Sequence, residues 1–359
     1  MIALLKYYIK KRLYVIGILS SITIIIALIL SSGGYIYEYD RYYDEINNEI
    51  VKMAQNCPIE LYAFIAAVLV LIIPIFEFSF KMKKVSIDEF YKYPIKREKL
   101  YMVKYILGLI EILIPLTVYF LFTFLDIAFK EHLFDLGSYV IFYLISIPVV
   151  FSTYSIFTFI YAKCNTIYDG LINLTFIQFF FVAIIYMITE IVTYEGVCLL
   201  SPDSGCWMYY SYFFVYSPIT RLAAYGTEYM GQSSYVLESP LSNTDIASII
   251  SIIFFFILGV VALILLIFNL KKDKSENSMD ISSSWFSYKV MLPTFIVVLS
   301  YISTQSASGI FVSLLVAVSG YIGYTIYRRT FKIKLCDVIT IASSLLFGVG
   351  IGVIVWLSF

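Results

Sequence analysis

The stretch Lys81 to Lys104, KMKKVSIDEFYKYPIKREKLYMVK, lies between two apolar runs, each long enough to cross a bilayer, and carries eight of the chain's twenty-five basic residues. Within it Ser86-Ile87-Asp88-Glu89 fits a capping box, in which the Ser86 hydroxyl and the Glu89 carboxylate satisfy each other's backbone donors. Val85 and Phe90 fall at the two positions of a hydrophobic staple. Tyr93-Pro94 stops the helix, because the residue before proline is pushed out of the helical region. The spacing therefore predicts a short, rigid helix over Ile87 to Lys92 in a tight basic loop. A mere connection has no need of a cap and a staple, so the loop reads as a place where something docks.

Working outward, the 359 residues are 61% hydrophobic and only 14% charged, against about 25% charged in soluble domains. Nine apolar runs follow one another, at about 13–32, 61–80, 101–125, 138–161, 170–194, 246–270, 290–304, 309–326 and 338–358. A span needs roughly 20 residues, so the short seventh run is read with the eighth as a hairpin turning at Thr304-Gln305-Ser306. The fold class expected is an all-α polytopic membrane bundle. It has six spans in residues 1–270, then a polar linker and three further spans in 271–359.

Charge placement gives the sidedness, since basic residues near span ends stay in the cytoplasm. With the amino terminus inside, the inner segments (1–12, 81–104, 162–169, 271–289, 327–337) hold 21 Lys and Arg against 8 acids. The outer ones (33–60, 126–137, 195–245) hold 4 against 14. The net charge of zero thus hides a strong polarity and excludes a nucleic-acid-binding reading based on overall basicity. The carboxyl terminus is expected outside.

Three acids lie inside spans: Glu77, Glu111 and Glu190. Glu111 falls near mid-depth of the third span, where an ionised carboxylate costs on the order of 2.5 kcal/mol or more and is usually turned inward. A substrate contact, a proton relay and an interhelical hydrogen bond all fit it. Glu77 and Glu190 lie close to the inner and outer boundaries, within reach of the interface. Before the first span, Ile2, Leu5 and Ile9 recur at helical spacing while Lys6, Lys10, Lys11 and Arg12 stay polar. An interfacial helix and a simple positive anchor fit equally well.

Cys57, Cys198 and Cys206 fall outside, Cys164 and Cys336 inside. Cys198 and Cys206 flank the turn-rich Ser201-Pro202-Asp203-Ser204-Gly205; a disulfide in an oxidising exterior and two free thiols are both compatible with that spacing. Trp207 to Tyr216 holds seven aromatics in ten positions, which suits outer-interface anchoring or the lining of a hydrophobic exit path.

Catalytic signatures are missing. There is no G-x-x-x-x-G-K-[ST] phosphate loop and no G-x-S-x-G elbow. The single histidine, His132, leaves no H-E-x-x-H metal pair. No enzyme activity, metal or cofactor is expected on this chain.

The basic start Lys6 to Arg12, the capped helix with Tyr93-Pro94-Ile95-Lys96-Arg97-Glu98-Lys99-Leu100 between spans two and three, and the Ser217-Pro218 break before span six together resemble the type-2 permeases of ATP-binding cassette (ABC) exporters over roughly 1–270. From Lys274-Ser275-Glu276-Asn277 to Arg328-Arg329-Thr330-Phe331-Lys332 the chain is similar to longer permeases of Gram-positive bacteria that act in peptide-antibiotic export or resistance. The resemblance implies a multi-pass subunit of the cell membrane that pairs with a second permease, identical or paralogous. Two separate cytoplasmic ATPases would drive it, with ATP and magnesium held on those partners. Residues Met1 to Arg12 would form an elbow helix. Ser86, Ile87, Asp88, Glu89, Phe90, Tyr91 and Lys92 would dock in the ATPase, and Lys163, Cys164, Asn165 and Thr166 would make the lesser contact. The cargo class would be an amphipathic peptide, antibiotic or lipid-like compound. Two other classes compete: a proton- or ion-coupled secondary transporter using Glu111, and a membrane scaffold or sensor that moves nothing.

Overall fold

A computed structural model describes residues 2–32, 36–40, 50–54, 58–83, 96–130, 136–174, 176, 243–270, 288–304 and 309–357. Its helices are α1 (Ile2–Ser32), α2 (Pro58–Phe78, continued by a 3-10 turn at Ser79–Met82), α3 (Arg97–Phe129), α4 (Leu136–Ala162), α5 (Asn243–Leu270), α6 (Tyr288–Thr304), α7 (Gly309–Arg328) and α8 (Leu335–Leu357). A further helical stretch covers 167–174. Among the described residues six helices are long and apolar enough to cross a membrane: Ala3–Ser32, Leu61–Met82, Arg97–Phe129, Tyr139–Ala162, Phe311–Arg328 and Leu335–Ile354. Two shorter apolar helices cover Ile252–Phe268 and Tyr288–Thr304. This is the architecture of an α-helical, multi-pass membrane protein. The fifth apolar run continues past the described residues.

One element departs from the all-helical expectation. Strands β1 (Ile36–Asp40) and β2 (Ile50–Ala54) pair antiparallel, Ile36 opposite Ala54 and Asp40 opposite Ile50. The segment between spans one and two is therefore a ribbon at its two arms.

The chain divides into two compact units. The first holds α1, the ribbon, α2, α3, α4 through Phe159, and α5. Helix α3 is central in it and packs on α1, α2 and α5. The α1 face toward this core is a stripe of Tyr8, Ile16, Thr23 and Ala27, all buried, with the half-buried Arg12 in the same row. Spacings of four and seven keep one helical face inward. The opposite face, with Leu13, Tyr14, Ile18, Ile25 and Ile29, is exposed and apolar, as suits lipid.

The elbow helix implied over Met1 to Arg12 is not a separate element. Residues 2–12 carry no proline or glycine to break the helix, and Tyr8 is buried with the rest of the stripe, so the chain runs straight on as α1.

Hydroxyl pairs join α2, α3 and α4. Tyr62 Oη lies 2.6 Å from Ser146 Oγ, Thr123 Oγ1 2.6 Å from Tyr139 Oη, and Thr117 Oγ1 2.7 Å from Tyr143 Oη. Several of these hydroxyls also bond a carbonyl three or four residues back in their own helix. That capacity lets Ser and Thr sit in apolar helices without an orphaned donor. Phe120 stacks on Tyr143 with ring centroids 4.2 Å apart, filling the space between the pairs. Gly259 of α5 meets the backbone of Ser152 on α4, a close approach that small residues permit.

The second unit holds α6, α7, α8 and the described residues from Ile160 to 176. Ile296, Val316, Tyr324 and Ile341 form its core. Gly348 and Gly352 of α8 face Ser300 and Thr304 of α6. Helices α7 and α8 meet at a short turn where Arg328 grips Asp337 bidentately, Nε to Oδ2 at 3.0 Å and Nη2 to Oδ1 at 2.9 Å.

Candidate functional site

In the first unit the charges that apolar helices carry inward meet at one place. Glu77, in the last turn of α2, is fully buried. Lys104 Nζ of α3 donates to its Oε2 at 2.9 Å. Arg12 Nη2 of α1 stands 2.9 Å from Oε1 but out of line for a hydrogen bond, so Arg12 contributes charge rather than a directed bond. Lys104 also sits 4.7 Å from the centre of the Tyr8 ring, a cation–π contact. Three helices are joined here by a buried acid and two cations.

Glu111 lies two turns beyond Lys104 on the same face of α3, about 10 Å along the axis. It is 1% exposed, and its Oε1 has no hydrogen-bond partner among the described residues. It shares the electrostatic surroundings of Glu77, Arg12 and Lys104. Between the two, Gly108 makes room for the hydroxyl of Tyr154, which donates to the Tyr105 carbonyl at 3.2 Å. Tyr105 Oη in turn lies 2.6 Å from Ser155 Oγ. The site is thus a column on α3, Lys104, Gly108, Glu111 and Pro115, backed by tyrosines. Thr23 of α1 reaches the Pro115 carbonyl at 3.2 Å.

A second tie joins α1 and α3 at their other ends. Ser31 Oγ bonds Asp126 Oδ1 at 2.9 Å and Lys130 Nζ bonds the Ser31 carbonyl at 2.6 Å. From Arg12 to Ser31 is about 29 Å along α1, and from Lys104 to Asp126 about 33 Å along α3. Both match a hydrocarbon thickness of about 30 Å. The polar ties therefore sit at the two boundaries of the apolar slab, and Glu111 lies inside it.

The residues named from sequence fall in different places. Glu77 lies near the inner boundary as expected but does not turn outward there; its helical phase turns it into the core against Arg12 and Lys104. Glu111 is buried as expected, but its Oε1 is unbonded. In the second unit, Lys163 and Cys164 form the turn after α4, with Lys163 N donating to the Ile160 carbonyl and Cys164 N to that of Tyr161. Thr166 caps the stretch 167–174, its Oγ1 accepting from Asp169 N at 3.2 Å. Asn165 is half-buried in the same turn. Cys164 accepts from Asn173 Nδ2 at 2.9 Å. Burial pushes its thiol up to about 12, against the bond from Asn173 and the nearby Lys81 cation, and with a smaller upward push from Asp169. Ser86, Ile87, Asp88, Glu89, Phe90, Tyr91 and Lys92, together with Glu190, Cys198, Cys206 and the aromatic segment 207–216, lie outside the described residues.

Sequence reading missed Arg12, Lys104 and Asp169. Lys104 did carry a signal: it stands seven residues before Glu111, inside the apolar helix that starts at Arg97, so it shares a face with that acid. Among the described residues no group of three or more His, Cys, Asp or Glu side chains is placed to hold a metal. Comparison with family models, with curated proteins and with solved structures finds no match for this chain.

Proposed function

We propose that this chain is the membrane-spanning permease subunit of an ATP-binding cassette exporter of the cell membrane, with its amino terminus inside. It would work with a second permease subunit and a separate cytoplasmic ATPase pair, and its cargo class would be an amphipathic peptide, antibiotic or lipid-like compound. The observation that carries the reading is the Lys104–Glu77 bond. It ties the end of α2 to the start of α3, the two helices that flank the basic loop, and Arg12 brings α1 into the same knot. A push on that loop then moves three spans as one body, which is what rigid-body transmission from an external motor requires. The basic loop with its capping-box sequence and the 21-to-4 division of basic residues support the same reading.

The experiment is affinity capture of the ATPase from membranes with the wild-type chain and with Phe90→Ala, Tyr91→Ala and the double variant. Buried aromatic anchors carry a large share of interface energy, so recovery should fall at least about tenfold in the double variant while membrane insertion is kept. Undiminished recovery with full ATP-driven transport would remove the loop from the coupling path.

One observation favours a second reading. A buried acid with an unbonded oxygen, Glu111, suits a proton-coupled transporter, since intramembrane acids mark proton relays. Transport abolished by a protonophore but indifferent to ATP depletion would select it over the first.

A further inference from the structure

The proposed function gives α6 to α8 no task, and the second unit carries one. Thr166 and Asp169 stand at the first and fourth positions of a helix start, where a capping box would turn the acid back onto the Thr166 backbone N–H. Only half of that box forms: Asp169 N donates to Thr166 Oγ1, while the Asp169 carboxylate, 6% exposed, faces elsewhere. Its Oδ1 accepts from Tyr288 Oη of α6 at 2.8 Å, and its Oδ2 lies 3.9 Å from Arg329 Nη2, just past the end of α7. Asp337, in the corresponding place at the start of α8, does turn back, accepting from Lys334 N at 3.3 Å. The departure at Asp169 is therefore specific to its partners.

The contacts continue through the extension. The Tyr288 ring lies 5.1 Å from that of Tyr327 on α7, Arg328 stands over Tyr327 at 5.3 Å, and Arg328 grips Asp337 of α8. Arg329 is held at φ 52°, a left-handed conformation that costs an L residue about 1–2 kcal/mol and that glycine adopts freely. The chain keeps an arginine where its backbone would favour glycine.

We propose that Asp169 is a latch through which α6–α8 sets the position of the inner loop Lys163–Thr166, with Tyr288 and Arg329 as positioning residues. The latch stands on the geometry alone. That the loop it positions meets an ATPase rests on the permease reading.

The test is hydrogen exchange at the Asp169 and Gly170 amides, which bond Thr166 Oγ1 and the Thr166 carbonyl, in the purified full-length chain in lipid nanodiscs without ATP or partner. Tyr288→Phe removes one hydroxyl and keeps the ring stack. Exchange should quicken about tenfold or more, the scale of a hydrogen bond to a charged group. Arg329→Gly relieves the backbone and removes the charge, so it should quicken exchange at the same amides while leaving the thermal midpoint equal or higher. A merely structural turn residue would give the second effect without the first. Unchanged exchange in both variants overturns the latch. Quickened exchange with unaltered coupling of ATP hydrolysis to transport keeps the latch and shows that the loop it positions is not the ATPase contact, whereas quickened exchange in a chain whose wild type carries out no ATP-driven transport keeps the latch and overturns the permease reading.

Discussion

Glu77 Oε2 accepts a hydrogen bond from Lys104 Nζ at 2.9 Å, so the acid that ends α2 and the lysine two turns into α3 close the basic loop between them. Both side chains are almost wholly out of solvent, 0% and 5% exposed. Breaking one partner of such a pair leaves an uncompensated charge, which typically costs about 3–5 kcal/mol. Glu77→Gln and Lys104→Met are each expected to lower the thermal midpoint of the detergent-solubilised protein sharply, and Glu77→Gln/Lys104→Met should recover most of the loss. Arg12→Met should cost less, because that side chain is 25% exposed. A double variant no better than the worse single variant would mean that the two charges do not hold each other.

Glu111 has the opposite character. Its buried Oε1 has no hydrogen-bond partner among the described residues, and an apolar group of similar shape is nearly neutral or stabilising where an acceptor goes unpartnered. Glu111→Leu and Glu111→Gln should therefore both shift stability by less than about 1 kcal/mol, measured by the same thermal assay. Transport lost in Glu111→Leu at normal stability would assign the carboxylate to function. A drop as large as that of Glu77→Gln would show that the acid is a structural member of the charge cluster.

Gly108 offers a steric test of the α3 column. A methyl group there would meet the Tyr154 hydroxyl and displace it from the Tyr105 carbonyl. Overpacking of this kind costs about 1–3 kcal/mol, against a helix-propensity gain of about 1 kcal/mol for glycine to alanine. Gly108→Ala should destabilise the wild-type chain and do so less in a Tyr154→Phe background, where the contacts to Ile73 and the ring remain. Additive effects in that cycle would mean that the two residues do not touch.

Sidedness and thiol burial are read together by labelling. Cys336 is exposed and Cys164 buried. A maleimide should modify Cys336 only in inverted vesicles, and Cys164 in neither orientation near pH 8. A thiol held up at about 12 reacts as thiolate only far above the usual 8.5 of free cysteine. The proton bound more tightly in the folded state means that stability is kept below about pH 8.5 and declines as pH rises through 12. In a cysteine-free background, new cysteines at Asn48 and Ser234 should label from outside, and those at Ser275 and Thr330 from inside. Outside labelling at Ser275 would overturn the six-plus-three arrangement.

The span pattern was legible because it is local: eight of the nine apolar runs coincide with described helices, and α6 ends at Thr304 and α7 begins at Gly309, on either side of the polar Gln305-Ser306. The site was only half legible because its pairs are not local. Lys104 follows a basic run and reads as part of the loop, yet the helix begins at Arg97, so Lys104 is already two turns into it. Glu77 lies near a span end, and only helical phase distinguishes an acid that snorkels from one that turns inward. Arg12 sits in a row of cations, and its burial follows from its place in the Tyr8–Ile16–Thr23 stripe rather than from charge. The ribbon at Ile36–Asp40 had a cue in Ile36-Tyr37-Glu38-Tyr39-Asp40, where aromatics alternate with acids at period two. Thr166 to Asp169 carries the same capping spacing as Ser86 to Glu89. What it could not show was that the acid is diverted to Tyr288, 119 residues away.

The charge cluster also bears on biogenesis. A nascent chain threads its helices into the bilayer in order, and each must be tolerable before the next emerges. Helix α1 arrives with Arg12, and α2 follows with Glu77, which cancels it. Helix α3 then enters carrying Lys104 and Glu111 together, one charge of each sign. At no stage of synthesis does the inserted portion hold more than a single unbalanced charge from this cluster, although the finished protein gathers four, three of them buried. A chain with Lys104 and Glu77 exchanged would have the same final pair, but it would pass through a state with two adjacent cations, Arg12 and the displaced lysine, at the edge of the slab before any acid reached them. The order of the residues along the chain, and not only their meeting in the fold, is what lets the membrane accept them.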